Sequence, residues 1–174
     1  MVRIAPSPRS WLPVLGATAA VVSISIALTA CSAQSVDRQT QARSVDICKR
    51  LVSIKSVPFN ESWPTDDSDY LALKERKSEA AVCLLDRIVD NTPMQDPRSE
   101  PTKANGFVVG DLALFLLSDF KIVPFESVLP GEVKAQLPTR GVLAYFAWVQ
   151  QPGNRQRLQA AAKEWVRMHP APRR

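Results

Sequence analysis

Residues 108–120, with the sequence VVGDLALFLLSDF, decide the fold of this chain. After Gly110-Asp111 the segment is apolar on every face, and its length predicts a central buried helix with Asp111 near its start. A helix of this kind needs apolar neighbours on all sides, so the rest of the chain has to supply them. Periodicity leaves one alternative open, which is a buried strand over part of the segment.

Two helices are predicted before this segment. Apolar residues recur at helical spacing over residues 44–56 and again over residues 67–90. The acidic residues at 66–69 suit the start of the second helix, because carboxylates are stabilised at a helix N-terminus. Pro58 is expected to end the first helix, and Asn91-Thr92-Pro93 the second.

Further helices are predicted after the central segment. Residues 132–137 suit one or two helical turns, and Thr139 is placed to cap a helix that runs to Val149. Gln151-Pro152-Gly153-Asn154 breaks that helix, and residues 155–169 carry the single apolar stripe of an amphipathic helix. The sequence therefore predicts an all-α fold of five or six helices.

Two arrangements of these helices are compatible with the sequence. Gly110-Asp111-Leu112-Ala113-Leu114 resembles the inner helix of HEAT-type repeats, and this resemblance implies a short array of antiparallel helix pairs joined by proline-rich turns. No fixed period repeats along the chain, so an irregular helical bundle stays open as the other reading.

Leu28-Thr29-Ala30-Cys31 closes an N-terminal segment of secretory type. Arg3 and Arg9 supply a positive start, and residues 11–27 form an apolar stretch that ends in small residues. The segment resembles the signal peptide of bacterial lipoproteins. That resemblance implies cleavage before Cys31 and attachment of acyl chains such as palmitate, which anchor stably when two or more are present.

The alternative reading of the same segment is an uncleaved transmembrane helix over residues 11–30, which is just long enough to cross a hydrocarbon core of about 30 Å. On the lipoprotein reading, residues 1–30 are the signal peptide, residues 31–43 a lipidated flexible tether, and residues 44–174 a single helical domain. Ser32 follows the cysteine, and by resemblance it favours a periplasm-facing place on the inner leaflet of the outer membrane in a Gram-negative cell.

Charge and cysteine content narrow the function classes. Loss of Arg3 and Arg9 with the signal peptide lowers the net charge from +5 to +3, which is mild, and the expected location argues against nucleic acid as a partner. With Cys31 lipidated, Cys48 and Cys83 are expected to pair in an oxidising compartment, the alternative being two separately buried thiols. No cluster of cysteines and histidines in the sequence suggests a metal site, and no cofactor is expected.

No catalytic residue is expected. His169 is the only histidine and lies at the end of the last predicted helix, where a proton-transfer group is poorly held. Asp86 and Asp90 lie four apart, but Arg87 is a ready ion-pair partner between them. The sequence has neither a nucleophile elbow nor a phosphate loop.

The candidate binding residues lie in two irregular segments. Phe59 and Trp63 are expected on an exposed loop, unless Trp63 folds back over the core. Met94 and Arg98 belong to the loop 91–106, which is long enough to be either a recognition loop or a tolerated insertion.

These features favour a lipid-anchored binding protein with a protein partner in the periplasm. An envelope assembly factor and an inhibitor or immunity protein fit this description equally well. A small cell-envelope hydrolase is the alternative, since such an enzyme needs only two carboxylates or a Ser/His pair that meet in space.

Overall fold

The structure, a computed structural model, describes residues 47–58, 64–98 and 105–170. This part of the chain contains seven α-helices. The α-helices are α1 (Ser68–Glu75), α2 (Lys77–Arg87), α3 (Val109–Asp119), α4 (Gly131–Lys134), α5 (Leu137–Arg140), α6 (Leu143–Val149) and α7 (Asn154–Met168). Two 3-10 helices, Lys49–Ser53 and Phe125–Val128, complete the set. The predicted all-α fold is confirmed, although five or six helices was too low a count.

Helix α3 is the centre of the core, as predicted, and the alternative of a buried strand is wrong. Its residues are buried on nearly every face, and the most extensive helix–helix interface joins it to α2. The carboxylate of Asp111 closes its first turn, because Oδ2 accepts a hydrogen bond of 3.0 Å from the N–H of Val108. The unequal helix lengths fit the irregular bundle.

The predicted helix over residues 67–90 is instead two helices. Asp67 caps the first, its carboxylate accepting the N–H groups of Asp69 and Tyr70 at 3.0 Å each. The chain breaks at Arg76, which ends α1 and starts α2. This break falls in the polar run 74–79, where no apolar side chain anchors the helix to the core.

The predicted helix over residues 44–56 is shorter in its described part. Ile47 and Cys48 are α-helical and lead into the 3-10 helix Lys49–Ser53, and Ile54 is extended. The carboxylate of Asp67 explains why the helix ends before residue 56, because Oδ2 accepts the N–H groups of Lys55 and Ser56 at 2.8 and 3.2 Å and so removes them from a helical ladder.

The C-terminal helices differ from the prediction at Thr139 and agree with it over residues 155–169. Thr139 does not cap a helix but lies inside α5, and Gly141, with φ of 55°, separates α5 from α6. A left-handed φ is available to glycine without strain, which lets the chain turn there. The last predicted helix is confirmed as α7.

A disulfide joins Cys48 to Cys83, with a Cα–Cα distance of 6.2 Å. The predicted pairing is therefore confirmed, and the alternative of two free thiols is wrong. The bond ties the segment before the first 3-10 helix to the buried side of α2.

The end of α2 and the start of α3 approach so closely that only glycine fits at position 110. A Cβ atom there would lie 2.3 Å from the carbonyl oxygen of Ile88. Residues 90–92, which follow α2, are bonded to the start of α3, since the N–H of Val109 donates to Thr92 O at 3.0 Å and the N–H of Gly110 donates to Asp90 O at 2.9 Å. Among the described residues, no helix has both the length and the apolarity needed to cross a bilayer.

Candidate functional site

Of the sequence-predicted binding residues, the structure describes Met94 and Arg98, and these two do not share a site. Cys31, Phe59 and Trp63 lie outside the described residues. Met94 is half-buried and lines a cleft of about 390 Å³, which we call the Met94 cleft. The other residues that line this cleft include Val52, Ile54, Lys55 and Asp69. Met94 is therefore placed where a partner can reach it.

Arg98 is buried, so the expected surface position is wrong for this residue. Arg98 Nε donates a hydrogen bond of 3.0 Å to Asp96 Oδ1, and Arg98 Nη2 donates one of 2.7 Å to Asp96 Oδ2. The guanidinium carbon lies 4.8 Å from the ring centre of Phe115 and 5.1 Å from that of Phe146. Charge pairing and aromatic stacking together make Arg98 part of the packing beneath the loop.

The residues weighed for catalysis are occupied by ordinary structural contacts. Asp86 pairs with Lys163 at 2.8 Å and Asp90 with Arg87 at 2.5 Å, as the intervening arginine suggested. His169 is exposed and stacks on Trp165, with ring centres 3.9 Å apart. Among the described residues, no group of three or more histidine, cysteine or acidic side chains is arranged to hold a metal ion.

A buried polar centre, which sequence analysis missed, lies at the start of α3. Asp111 is completely buried. Its Oδ1 accepts a hydrogen bond of 2.7 Å from the Tyr145 hydroxyl and forms an ion pair of 2.9 Å with Arg155 Nη2. Burial, followed by the negative charge of Asp111, raises the pKa of Tyr145 well above its ordinary value of 10.0. The sequence signal was Asp111 itself, a lone acid leading an apolar run that requires partners elsewhere.

A cleft of about 630 Å³ opens beside this centre, between the two ends of the loop 91–106 and the turn that joins α6 to α7. We call it the amide cleft because of its polar wall residues. These are Asn91, Asn105, Gln150, Gln151, Arg155 and Gln156. None of the described lining residues is acidic.

The loop and α6 are tied together at the edge of the amide cleft. Gln150 Nε2 donates a hydrogen bond of 3.1 Å to the carbonyl oxygen of Asn105. Gly106 follows with φ of 76°, so a side chain at that position would be strained and would also crowd Gln150 Nε2 at 3.4 Å. The loop end is thus held by a specific contact.

The start of α7 forms the opposite wall. Gly153, with φ of 81°, precedes Asn154, whose Nδ2 donates to Trp148 O at 2.8 Å and fixes the turn. The backbone N–H groups of Arg155 and Gln156 belong to the first turn and have no acceptor within the helix. No side chain caps this end and no acid lies in its first turn, so the positive end of the helix dipole is uncompensated there.

Comparison of the chain with protein-family models, with curated proteins and with solved structures returns no match.

Proposed function

We propose that this protein is a lipid-anchored, periplasm-facing helical binding protein that acts through protein–protein contacts. The anchor is inferred from Leu28-Thr29-Ala30-Cys31 at the end of an apolar, positively headed N-terminal segment. Acylation of Cys31 supplies stable attachment, and Ser32 favours the inner leaflet of the outer membrane in a Gram-negative cell.

The observation that carries the binding role is that one segment contributes to two clefts. Within residues 91–106, Asn91, Asn105 and Gly106 line the amide cleft, whereas Met94 and Gln95 line the Met94 cleft. A segment placed in this way borders two recessed surfaces, and loops on a rigid scaffold are common sites of recognition.

The described part of this segment is also fixed in advance. Val57 N–H donates to Pro97 O at 3.1 Å, and Met94 N–H donates to Phe107 O at 3.1 Å. A loop that is already ordered loses less conformational entropy when a partner binds, which supports a role in recognition.

Site-specific photocrosslinking tests this proposal in cells that make the full-length protein. A photoreactive residue in place of exposed Gln95 or Asn105 should give a discrete adduct with an envelope protein. The matched control is Thr139, which is also exposed, on α5, but lines neither cleft. Adducts at Thr139 alone, or at none of the three positions, would contradict a binding role for the segment.

A second experiment tests the anchor. Changing Cys31 to Ala removes the acyl acceptor, so the variant should remain as unprocessed precursor, whereas a Cys48→Ala variant should still be processed and sediment with membranes. A Cys31→Ala protein that is processed normally and stays membrane-bound would contradict the lipoprotein assignment.

The partner distinguishes the two roles that we consider. An adduct with a secreted toxic protein supports an inhibitor or immunity function, and an adduct with an envelope-assembly component supports an assembly function. If no adduct forms and purified protein instead cleaves cell-wall material, the hydrolase alternative replaces the binding role.

A further inference from the structure

A third cleft, of about 300 Å³, lies where α4 and α5 meet α6 and α7, and two arginines line it. We call it the arginine cleft. Arg140 is the last residue of α5 and Arg157 belongs to α7, and both are exposed. Val133, Ala144 and Trp148 line the same cleft and are buried, so the base of the cleft is largely apolar.

The two arginines of this cleft differ from the other described arginines in their partners. Six arginines of the described residues form an ion pair with a carboxylate, namely Arg50, Arg76, Arg87, Arg98, Arg155 and Arg167. Arg140 and Arg157 form no ion pair within the described part of the chain. Glu132 is the one acid in the described lining, so two cations face a single carboxylate and the cleft carries a net positive charge.

A neutral carboxamide holds Arg140 in place. Gln136 Oε1 accepts a hydrogen bond of 2.9 Å from Arg140 Nη1. The carboxamide is oriented in turn by its own donor, since Gln136 Nε2 donates to Glu132 O at 3.0 Å. The guanidinium is therefore positioned without loss of its charge.

The same arrangement holds Arg157 on α7. Asn154 Oδ1 accepts a hydrogen bond of 3.1 Å from Arg157 Nη1, and Asn154 Nδ2 donates to Trp148 O at 2.8 Å. The guanidinium carbon also lies 5.8 Å from the ring centre of Trp148, which adds a cation–π contact. Each of the two arginines is thus oriented by a carboxamide that is itself fixed to a backbone carbonyl.

Two positioned and uncompensated guanidiniums in one cleft suit a carboxylate ligand. A guanidinium has several N–H donors in a rigid fork that matches a carboxylate, and the carboxamide uses only one nitrogen of each. The acid Glu132 limits the excess of positive charge, which favours a singly charged group over a phosphate with nearly two charges. A recessed cleft with an apolar base also fits a protruding side chain better than a flat membrane surface.

We propose that the arginine cleft binds an Asp or Glu side chain of a partner protein. Arg140 and Arg157 hold the carboxylate, and a neighbouring apolar side chain of the partner packs on Trp148 and Ala144. This inference rests on the proposed binding function and adds the chemistry of the partner at a further surface.

An NMR titration of the full-length ¹⁵N-labelled protein in uncharged detergent micelles tests this proposal. The probe is acetyl-leucyl-glutamyl amide, whose only charge is the side-chain carboxylate, and its matched control is acetyl-leucyl-glutaminyl amide. The acidic peptide should produce saturable shifts at the side-chain N–H groups of Arg140, Arg157 and Trp148. The neutral peptide should bind at least about tenfold more weakly, because it forms no charge-assisted hydrogen bond to a guanidinium.

Two variants remove the proposed carboxylate ligands one at a time. Arg140→Gln and Arg157→Gln should each weaken binding of the acidic peptide at least about fivefold, since each removes one cation from the cleft. Arg167→Gln is the matched control, because it removes the same charge from an exposed site on α7 outside the cleft lining. Its affinity should stay within about twofold of the wild type.

The decisive variant is Glu132→Gln, which removes the one acid of the described lining. Its affinity for the acidic peptide should increase about twofold or more, because a nearby negative charge no longer repels the ligand. A damaged fold would weaken binding, so an increase reports on the charge of the cleft and not on stability.

Four results would overturn the inference. These are equal affinity for the two peptides, unchanged affinity in both Arg140→Gln and Arg157→Gln, no increase in Glu132→Gln, and tighter binding of inorganic phosphate than of the acidic peptide. Crosslinking at Gln95 or Asn105 together with a failed titration would refute this inference and leave the proposed function intact. A successful titration without any crosslinked adduct would support the arginine cleft and contradict the role proposed for residues 91–106.

Discussion

The Tyr145 hydroxyl donates a hydrogen bond of 2.7 Å to Oδ1 of Asp111, a contact that joins α6 to the first turn of α3 inside the core. Arg155 of α7 forms an ion pair with the same oxygen, with Nη2 at 2.9 Å. One carboxylate thus connects three helices at the base of the amide cleft. Because Asp111 and Arg155 are both buried, neither group can turn to water if the other is removed.

We therefore expect unequal costs from two substitutions in this centre. Tyr145→Phe should lower the free energy of unfolding by about 1–2 kcal/mol, because it removes one hydrogen bond to a carboxylate. Asp111→Ala should lower it by about 3–5 kcal/mol, because it leaves the Arg155 charge buried without its counter-ion. Urea unfolding followed by circular dichroism measures both values. Equal losses in the two variants would show that the carboxylate does not organise this centre.

The two tyrosines of the chain should both resist ionisation in the folded state. Burial raises the pKa of Tyr70, and so does Asp119, which accepts a hydrogen bond of 2.5 Å from the Tyr70 hydroxyl. Burial and the nearby Asp111 raise the pKa of Tyr145. A raised folded-state pKa contributes stability below the unfolded value of 10.0 that is lost as pH rises above it. Absorbance at 295 nm should therefore rise only together with alkaline unfolding, whereas protein in urea should titrate near the ordinary pKa. A tyrosinate signal near pH 10 in folded protein would count against this assignment.

Gly110→Ala should be strongly destabilising. The added methyl group would lie 2.3 Å from Ile88 O, and a backbone atom cannot move aside without separating α2 from α3. We expect a loss of at least about 2 kcal/mol, in the range of severe overpacking. Gly131→Ala is the matched control, since a Cβ there meets nothing within 4 Å, and it should be neutral or slightly stabilising. Thermal melts of the two variants provide the comparison, and similar midpoints would contradict the close approach.

Acid should remove a contribution that comes from Asp67. Burial by itself would raise the pKa of this carboxyl, but hydrogen bonds from four backbone N–H groups, beginning with that of Tyr70, bring it below its ordinary value of 3.8. A lowered folded-state pKa gives stability that is present above 3.8 and is lost as pH falls through the folded value. Asp67→Asn should therefore flatten the acid limb of the stability–pH curve, and Asp66→Asn, which removes a neighbouring exposed carboxylate, should not. Equal curves for Asp67→Asn and the wild type would disprove this role.

Sequence pattern predicts best where one element carries its own signal. The apolar run of α3 and the apolar stripe of α7 are local patterns, and both helices form as expected. The helix predicted over residues 44–56 ends early because Asp67 accepts the N–H groups of Lys55 and Ser56, a competition between segments that periodicity does not show.

The functional geometry was harder to predict for the same reason. Asp111 and Tyr145 are 34 positions apart, so nothing local marks them as partners. Arginine is usually exposed, but Asp96 pairs with the charge of Arg98 inside the protein and the rings of Phe115 and Phe146 pack against its guanidinium. The amide cleft likewise exists only after the loop meets the start of α7.

The disulfide between Cys48 and Cys83 also sets a mechanical path. Tension from the proposed anchor at Cys31 reaches Cys48 and passes through the covalent bond into α2, so the intervening loop, which includes α1, is shielded from the load. From α2 the force arrives at Ile88, where the chain lies against Gly110. Were the proposed anchor pulled, the load would therefore enter the protein at α2, and the first 3-10 helix, Lys49–Ser53, would be shielded within the loop that the disulfide closes.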